Sequence, residues 1–338
     1  MVAIGGKPPP PQPVTGTIYF GYEDMGDARR SLWKMNAADG SGKVRMGAES
    51  CFISNGQLGN LGDFSWFTHG GHYWLLQNCQ VAGDFPDGGE RHEIFAVRDD
   101  GGVVVQMTSG LNHEFQYHSW LTWGHDDQFA SWFASKWVWD PDTSTWLEID
   151  PGLYRVGITW DANGNPLPIT ETPTMIFTTY LEDTGYGWQA RTWTYDWSPD
   201  GSQIVIALLD RPSCKLWVID IPSLAERCLL NTGNYPVWSP DGAKVAYRCS
   251  DGGICIVNID GSGNKQILTM PKSGWRCWCS YVRWSPDGKH LTYMYNCHDQ
   301  GMLNWRRNIY RIAIDGSQNT LLTRDLPTAP IKGPVGWR

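Results

Sequence analysis

Apolar and polar positions alternate along most of this chain in short runs, and the runs are closed by Asp, Asn, Gly and Pro. Alternation with a period of two predicts β-strands with one face buried. One series is Leu32-Trp33-Lys34-Met35, Glu93-Ile94-Phe95-Ala96-Val97, Leu153-Tyr154-Arg155-Val156, Leu216-Trp217-Val218-Ile219, Ile254-Cys255-Ile256-Val257 and Ile309-Tyr310-Arg311-Ile312. Most members are followed by an Asp/Asn/Gly turn and a further short strand such as Gln266-Ile267-Leu268-Thr269.

A second series interleaves with the first. Trp-Ser-Pro-Asp-Gly stands at 197–201, 238–242 and 284–288. Pro presets φ for the turn, Asp tolerates the bend, and Gly takes the left-handed position. Degenerate copies are Trp66-Phe67-Thr68-His69-Gly70 and Trp123-Gly124-His125-Asp126-Asp127, and Trp337 follows Gly333-Pro334-Val335-Gly336. The anchors are therefore Trp66, Trp123, Trp197, Trp238, Trp284 and Trp337. Repetition at this spacing calls for a repeat architecture.

Each unit reads as four antiparallel strands, A to D. A ends at the Trp, B follows the turn, C is the strand of the first series, and D ends near Leu-Thr. Such units repeated radially make a β-propeller, in which ring closure removes exposed edges. The first unit starts at strand B, Gly16 to Phe20, and the chain ends on a spare strand A, Gly333 to Trp337. The expectation is an all-β, six-bladed propeller of four-stranded blades whose C-terminal strand closes blade 1. The alternative is seven blades, with Trp160-Asp161-Ala162-Asn163-Gly164 as a further turn. Expected spans are Thr15 to about Met46 for blade 1, Asp63 to Thr108 for blade 2 and Ser119 to Thr170 for blade 3. Glu171 to Ala190 is then a connection, and blades 4 to 6 start near Thr192, Asn234 and Tyr281.

The Trp-Ser-Pro-Asp-Gly turn with its Ile-Tyr strand resembles the WD40-like repeat of TolB-type β-propellers. The same repeat occurs in the propeller domains of prolyl oligopeptidase-like peptidases and in oligogalacturonate lyases. The resemblance is strong in blades 4 to 6, degenerate in blades 2 and 3 and partial in blade 1. It implies the fold. The peptidase relatives keep their catalytic machinery in an α/β domain, and this sequence has neither a Gly-x-Ser-x-Gly elbow nor an α/β stretch to supply one.

Composition narrows the picture. The 338 residues are read as a Pro-rich linker at 1–14 and a single propeller domain at 15–338. No run is long and apolar enough to span a membrane. The net charge of −8 and the absence of a basic stripe count against a nucleic-acid partner. The tract Lys7-Pro8-Pro9-Pro10-Pro11-Gln12-Pro13 is a semi-rigid spacer. With nine cysteines it points to an extracytoplasmic protein, in the periplasm or at the cell surface, read here without its export signal and touching a membrane only through a removed anchor. Cys214–Cys228 and Cys249–Cys255 flank turns symmetrically and are expected to be disulfides. Cys277, Cys279 and Cys297 fall in two blade 6 loops that should meet, and Cys51 and Cys79 sit where blade 1 passes into blade 2. The odd count leaves a thiol unpaired within the chain.

The D–A and B–C loops share one face, and long loops on a rigid scaffold are where binding concentrates. Candidate chemistry on that face has two centres. In blade 6 they are Trp275, Arg276, Trp278, Trp305, Arg306 and Arg307, because flat aromatics beside guanidinium groups suit a sugar face or an anionic ligand. In blade 3 they are Glu114, Trp120 and the cluster His113, Gln116 and His118, whose types could hold a transition metal or Mn²⁺. No cofactor is otherwise expected. Two functions remain: a monomeric, non-catalytic propeller that binds a protein or glycan through its loop face, and a lyase-like carbohydrate-active enzyme that uses His and Arg, with a divalent metal.

Overall fold

The computed structural model describes residues 14–23, 30–49, 64–69, 72–81, 91–98, 102–108, 115–124, 128–178, 181–183, 188–190, 192–208, 213–271, 276–299, 305–324 and 331–337. All named elements are strands. In the first sheet, β1 (Thr17–Glu23), β2 (Arg30–Asn36) and β3 (Val44–Glu49) follow in order. The second sheet is β4 (Phe64–His69), β5 (His72–Val81), β6 (Arg91–Arg98) and β7 (Val104–Gln106). The third is β8 (Phe115–Trp123), β9 (Phe129–Asp140), β10 (Thr145–Gly157) and β11 (Thr174–Thr178). A two-stranded ribbon, β12 (Leu181–Asp183) with β13 (Trp188–Ala190), separates it from the fourth.

The fourth sheet is β14 (Thr192–Trp197), β15 (Gln203–Leu208), β16 (Leu216–Asp220) and β17 (Glu226–Leu230). The fifth is β18 (Asn234–Trp238), β19 (Lys244–Arg248), β20 (Ile254–Asn258) and β21 (Lys265–Leu268). The sixth is β22 (Arg276–Trp284), β23 (His290–His298), β24 (Trp305–Ala313) and β25 (Thr320–Leu321). The last strand, β26 (Ile331–Trp337), returns to the first sheet and pairs antiparallel with β1, Ile18 opposite Trp337. Strand A of each sheet lies against strand A of the next, from β4 through β8, β14, β18 and β22 to β26, and β26 in turn lies against β4. This is an all-β propeller of four-stranded antiparallel blades.

Three of the anchor tryptophans tie neighbouring sheets together. Trp197 is fully buried and its indole N–H donates to Ser131 Oγ of the third sheet at 2.8 Å. Trp123 donates to the Trp74 carbonyl and Trp284 to the Val237 carbonyl of the preceding sheet, both at 3.1 Å, whereas Trp337 bonds Thr15 of its own sheet at 3.3 Å and Trp238 the Gly242 carbonyl of its own turn at 2.9 Å. A large side chain with one donor buries area and reaches across a seam in the same placement. Beneath each anchor the turn repeats one network. Ser198, Ser239 and Ser285 each donate to the Asp two residues on, at 2.6 Å, and each hydroxyl accepts the amide five residues on. Gly201, Gly242 and Gly288 carry φ of 69°, 73° and 65°, the left-handed conformation the turn requires.

Several expectations need correction. The seven-blade alternative is overturned: Trp160 makes one isolated bridge to Pro166, and its ring packs on Trp123 and Trp74 at 5.8 and 6.2 Å. The third sheet runs past Thr170, because Thr174–Thr178 is its outer strand, and only the ribbon belongs to the connection. Within that sheet Trp137 to Trp146 form a hairpin that directly extends β9 and β10, with an irregularity between Ile149 and Gly152. Cys277, Cys279 and Cys297 lie on strands, not in loops. The proline-rich tract before Val14 lies outside the described residues.

Candidate loop-face site

The blade 6 candidates are brought together by strand register. Across β22, β23 and β24 three rungs line up: Arg276–His298–Trp305, Cys277–Cys297–Arg306 and Trp278–Asn296–Arg307. Side chains two apart on a strand share a face, so the first and third rungs lie on the same side and the middle rung on the other. Arg276 and Arg306 are exposed, and Trp278 and Arg307 are half-buried. Trp305, Arg306 and Arg307, expected in the B–C loop, open strand β24 instead.

Around these residues the site is packed. Trp278 meets the His298 ring edge-on, centroids 5.6 Å apart. His298 is buried, and its Nδ1 lies 2.6 Å from the Asp299 carbonyl. Asn296, also buried, donates to Ser280 Oγ at 2.8 Å. The middle rung is cross-linked by the disulfide Cys277–Cys297. Against it stands the Asp251-Gly252-Gly253 loop of the fifth sheet, whose Gly252 carbonyl accepts the Cys279 amide at 2.7 Å. A Cβ on Gly252 would sit 3.1 Å from Trp278 Cβ, so a side chain there would push on the site.

Both expected disulfides are formed, Cys214–Cys228 and Cys249–Cys255. The second closes the loop that carries Gly252. Cys279 is the free thiol among the described cysteines, and its burial pushes its pKa well up. Cys51 lies outside the described residues, as does the side chain of Cys79.

The blade 3 candidates divide. His113 and Glu114 lie outside the described residues, as does Trp275 of blade 6. Gln116 and His118 fall on β8 rather than before it, with Gln116 opposite Ser135; Trp120 lies on the same strand, and the side chains of all three lie outside the described residues. Among the described residues no group of three or more His, Cys, Asp or Glu could hold a metal ion.

Sequence reasoning missed His298 and Asn296, which pack within the rungs, and Arg248 in the adjoining seam. The Arg248 guanidinium stacks over the Tyr235 ring, 4.3 Å from its centroid, and its Nε donates to Asn234 Oδ1 at 2.8 Å. Burial lowers its pKa. Tyr235 has φ of 53°, and Tyr281, at the same place in the next sheet, has the same value. Both stand three residues before their anchor, where strand A bulges. The signal was present in the repeat, since Arg248 can be aligned with its counterparts by counting three residues on from the residue that faces each anchor.

Comparison with solved structures supports the architecture. TolB from Acinetobacter baumannii superimposes over 92% of this chain with a TM-score of 0.56 and 14% identity. The fold is that of a TolB-like β-propeller. A puromycin-hydrolysing peptidase from Mycobacterium tuberculosis matches over 94% at a TM-score of 0.50 and 10% identity. An oligogalacturonate lyase solved with manganese matches over 91% at 0.43 and 15%. The chain spans 66% of the TolB chain, 53% of the peptidase and 74% of the lyase. No family model and no curated protein matches the sequence.

Proposed function

We propose that this TolB-like propeller is a non-catalytic, extracytoplasmic binding protein whose loop face takes a protein or glycan. In this reading the six sheets form one six-bladed ring, monomeric, with residues 15–338 as its single domain after a linker. The ligand sits over the loop end of blade 6, on Trp275, Arg276, Trp278, Trp305, Arg306 and Arg307. Glu114, Trp120 and the His113, Gln116, His118 group of blade 3 face it from the opposite side of the funnel.

The observation that carries the reading is the ladder of rungs across β22, β23 and β24. It gathers aromatic and guanidinium residues from three strands at one end of one sheet. The Cys277–Cys297 bridge pins the ladder at that end. Sites on strands are better preorganised than sites on loops, and Trp and Arg are the residue types that anchor interfaces. Three disulfides among the described residues fit an oxidising compartment.

A glycan array and an envelope pull-down identify the ligand. Trp278→Ala and Arg306→Ala are then expected to weaken it by about 1–2 kcal/mol each, with the melting temperature unchanged. Ligand contacts mapping to the Ser-Pro-Asp-Gly turns would refute the site. Elemental analysis and assay against uronic-acid polymers test the enzymatic alternative: stoichiometric divalent metal with chain cleavage replaces the binding reading by a lyase.

A further inference from the structure

One position in the repeat breaks its own rule. The residue three beyond the partner of each anchor on strand B is Phe133 in the third sheet, Ala207 in the fourth and Met294 in the sixth, all buried and packed against the next sheet. In the first sheet the position is Gly21, and in the second Asn78, whose side chain lies outside the described residues. In the fifth sheet it is Arg248. Ala246, two residues back on the same face, packs in the cluster that holds Cys279, Val282 and Trp284 of the sixth sheet. A guanidinium therefore enters a seam that the other repeats fill mainly with apolar groups.

Burying part of a guanidinium without a carboxylate costs free energy that Met or Ala would not cost. Among the described residues no carboxylate pairs with Arg248; it donates to the Asn234 amide oxygen, stacks over the Tyr235 ring and hydrogen-bonds the Tyr235 side chain, with the Cys279 thiol close by. Tyr235 is held in the left-handed region, and its amide is fixed by Thr194 Oγ1 of the fourth sheet at 3.0 Å. Tyr281 has the same φ at the equivalent bulge of the sixth sheet, so the strain belongs to the repeat; at Tyr235 it fixes the ring on which Arg248 stacks. By contrast the terminal nitrogens of the buried Arg311 go to structure: Nη1 donates to the Ala37 and Ala38 carbonyls at 2.8 and 2.6 Å and Nη2 to Thr320 Oγ1 at 3.3 Å.

The geometry points to Arg248 as the anchor for a carboxylate of an acidic peptide segment, bound in the seam between the fifth and sixth sheets at their loop end. This rests on the loop-face binding reading and names its partner chemistry. Arg248 is stacked and oriented before the ligand arrives, so little rotamer entropy is lost on binding. The half-buried position strengthens its attraction for one carboxylate, and Arg306, on the rung that faces the fifth sheet, adds positive charge at the same end. Tyr, Trp and Arg together are the side chains that carry protein interfaces.

The test uses the whole chain and three probes: a short labelled peptide alternating Asp and Ser, its Asn-for-Asp counterpart, and an oligouronate of equal charge. Binding is read by fluorescence anisotropy for the peptides and by calorimetry for the oligouronate, at low salt, for wild type, Arg248→Met, Arg248→Lys and Trp278→Ala. The acidic peptide is expected to bind and its counterpart not. Arg248→Met should weaken the peptide at least about tenfold, with Lys intermediate, since a point charge replaces an oriented fork. The melting temperature of Arg248→Met should match or exceed wild type. A lower melting temperature makes Arg248 structural and overturns the proposal, as does peptide binding indifferent to Arg248→Met. Dependence on Arg248 shown by the oligouronate alone overturns the peptide assignment. If Trp278→Ala weakens the peptide and Arg248→Met does not, this inference fails while the blade 6 site stands. The converse result places the ligand in the seam and removes it from blade 6.

Discussion

Arg311 of the sixth sheet donates a hydrogen bond to the carbonyl of Ala37 in the first, 274 positions earlier, at 2.8 Å. The same Nη1 reaches Ala38 O at 2.6 Å, and Nη2 reaches Thr320 Oγ1 at 3.3 Å. One buried side chain thus ties the C–D end of the last sheet to the corresponding turn of the first. Arg311→Met is expected to destabilise by about 2–4 kcal/mol, because buried carbonyls lose a charged donor. Urea titration checks this; an unchanged midpoint would show that the carbonyls find other partners.

Removal of residues 333–338 should be more damaging. It takes most of β26 away, strips β1 of its partner and removes Trp337, which is buried in the cluster shared with Met294 and Ile309. The exposed edge of β1 then offers itself for intermolecular pairing. The truncated chain should melt far below the full-length protein and aggregate. Equal melting temperatures, measured by differential scanning fluorimetry, would contradict the role of the closing strand.

Ser239→Ala isolates the energetic role of the turn. The Ser239 hydroxyl donates to Asp241 and accepts from the Lys244 amide at 2.8 Å, and the residue is buried. A loss of about 1–2 kcal/mol is expected, the cost of leaving a buried amide unpaired. Thermal unfolding of Ser239→Ala beside Ser262→Ala, an exposed hydroxyl that bonds Asp260, checks it; the second should cost less.

The turns also set the response to acid. Asp39, Asp200, Asp241, Asp260 and Asp315 have carboxyls held below the ordinary value, in each case first by a serine hydroxyl and then by a backbone amide. A depressed folded-state pKa means that the unfolded chain binds more protons in acid. The stabilisation is therefore complete above about pH 4, the unfolded value, and is lost as pH falls through the folded values. The turn contribution should be constant above about pH 5 and lost below about pH 4, beneath a separate loss that begins below about pH 6.5 because burial lowers the folded pKa of His290. A midpoint that rises on acidification would contradict the sign.

The thiols divide by placement. Non-reducing peptide mapping should recover Cys214–Cys228, Cys249–Cys255 and Cys277–Cys297, while Cys279 resists alkylation until the chain unfolds. Burial of Cys279 keeps its thiol protonated, and only the thiolate reacts. Alkylation of native Cys279 at the rate of a free thiol would mean that the seam opens.

Local chemistry made the repeat legible. Pro-Asp-Gly fixes a turn within five residues, and a Trp before it needs a core slot, so the sheets and the closing strand follow from sequence alone. Loop and strand boundaries were less legible. Trp305 and Arg306 look like loop residues because no apolar alternation surrounds them, yet β23 and β24 pair through the rung His298–Trp305. The pairing of Cys277 with Cys297 likewise depends on a register that nothing local sets. Arg248 looks like an ordinary strand-end cation until its row is compared across sheets. Only then does it stand where Phe133 and Met294 stand.

The pairing of β26 with β1 also dictates when this molecule can exist. Among the described strands β1 precedes and β26 follows all the others, so the first sheet stays a partner short, and the circuit of strands open, until β26 has docked. The other five four-stranded sheets are each built from strands consecutive in the chain and can form before that. The final act of folding is a search by the last strand for an edge made hundreds of residues earlier, a long-range contact that forms slowly. Until it succeeds, the edge of β1 is open to any other extended segment, and the molecule is exposed to mispairing however complete its other sheets are.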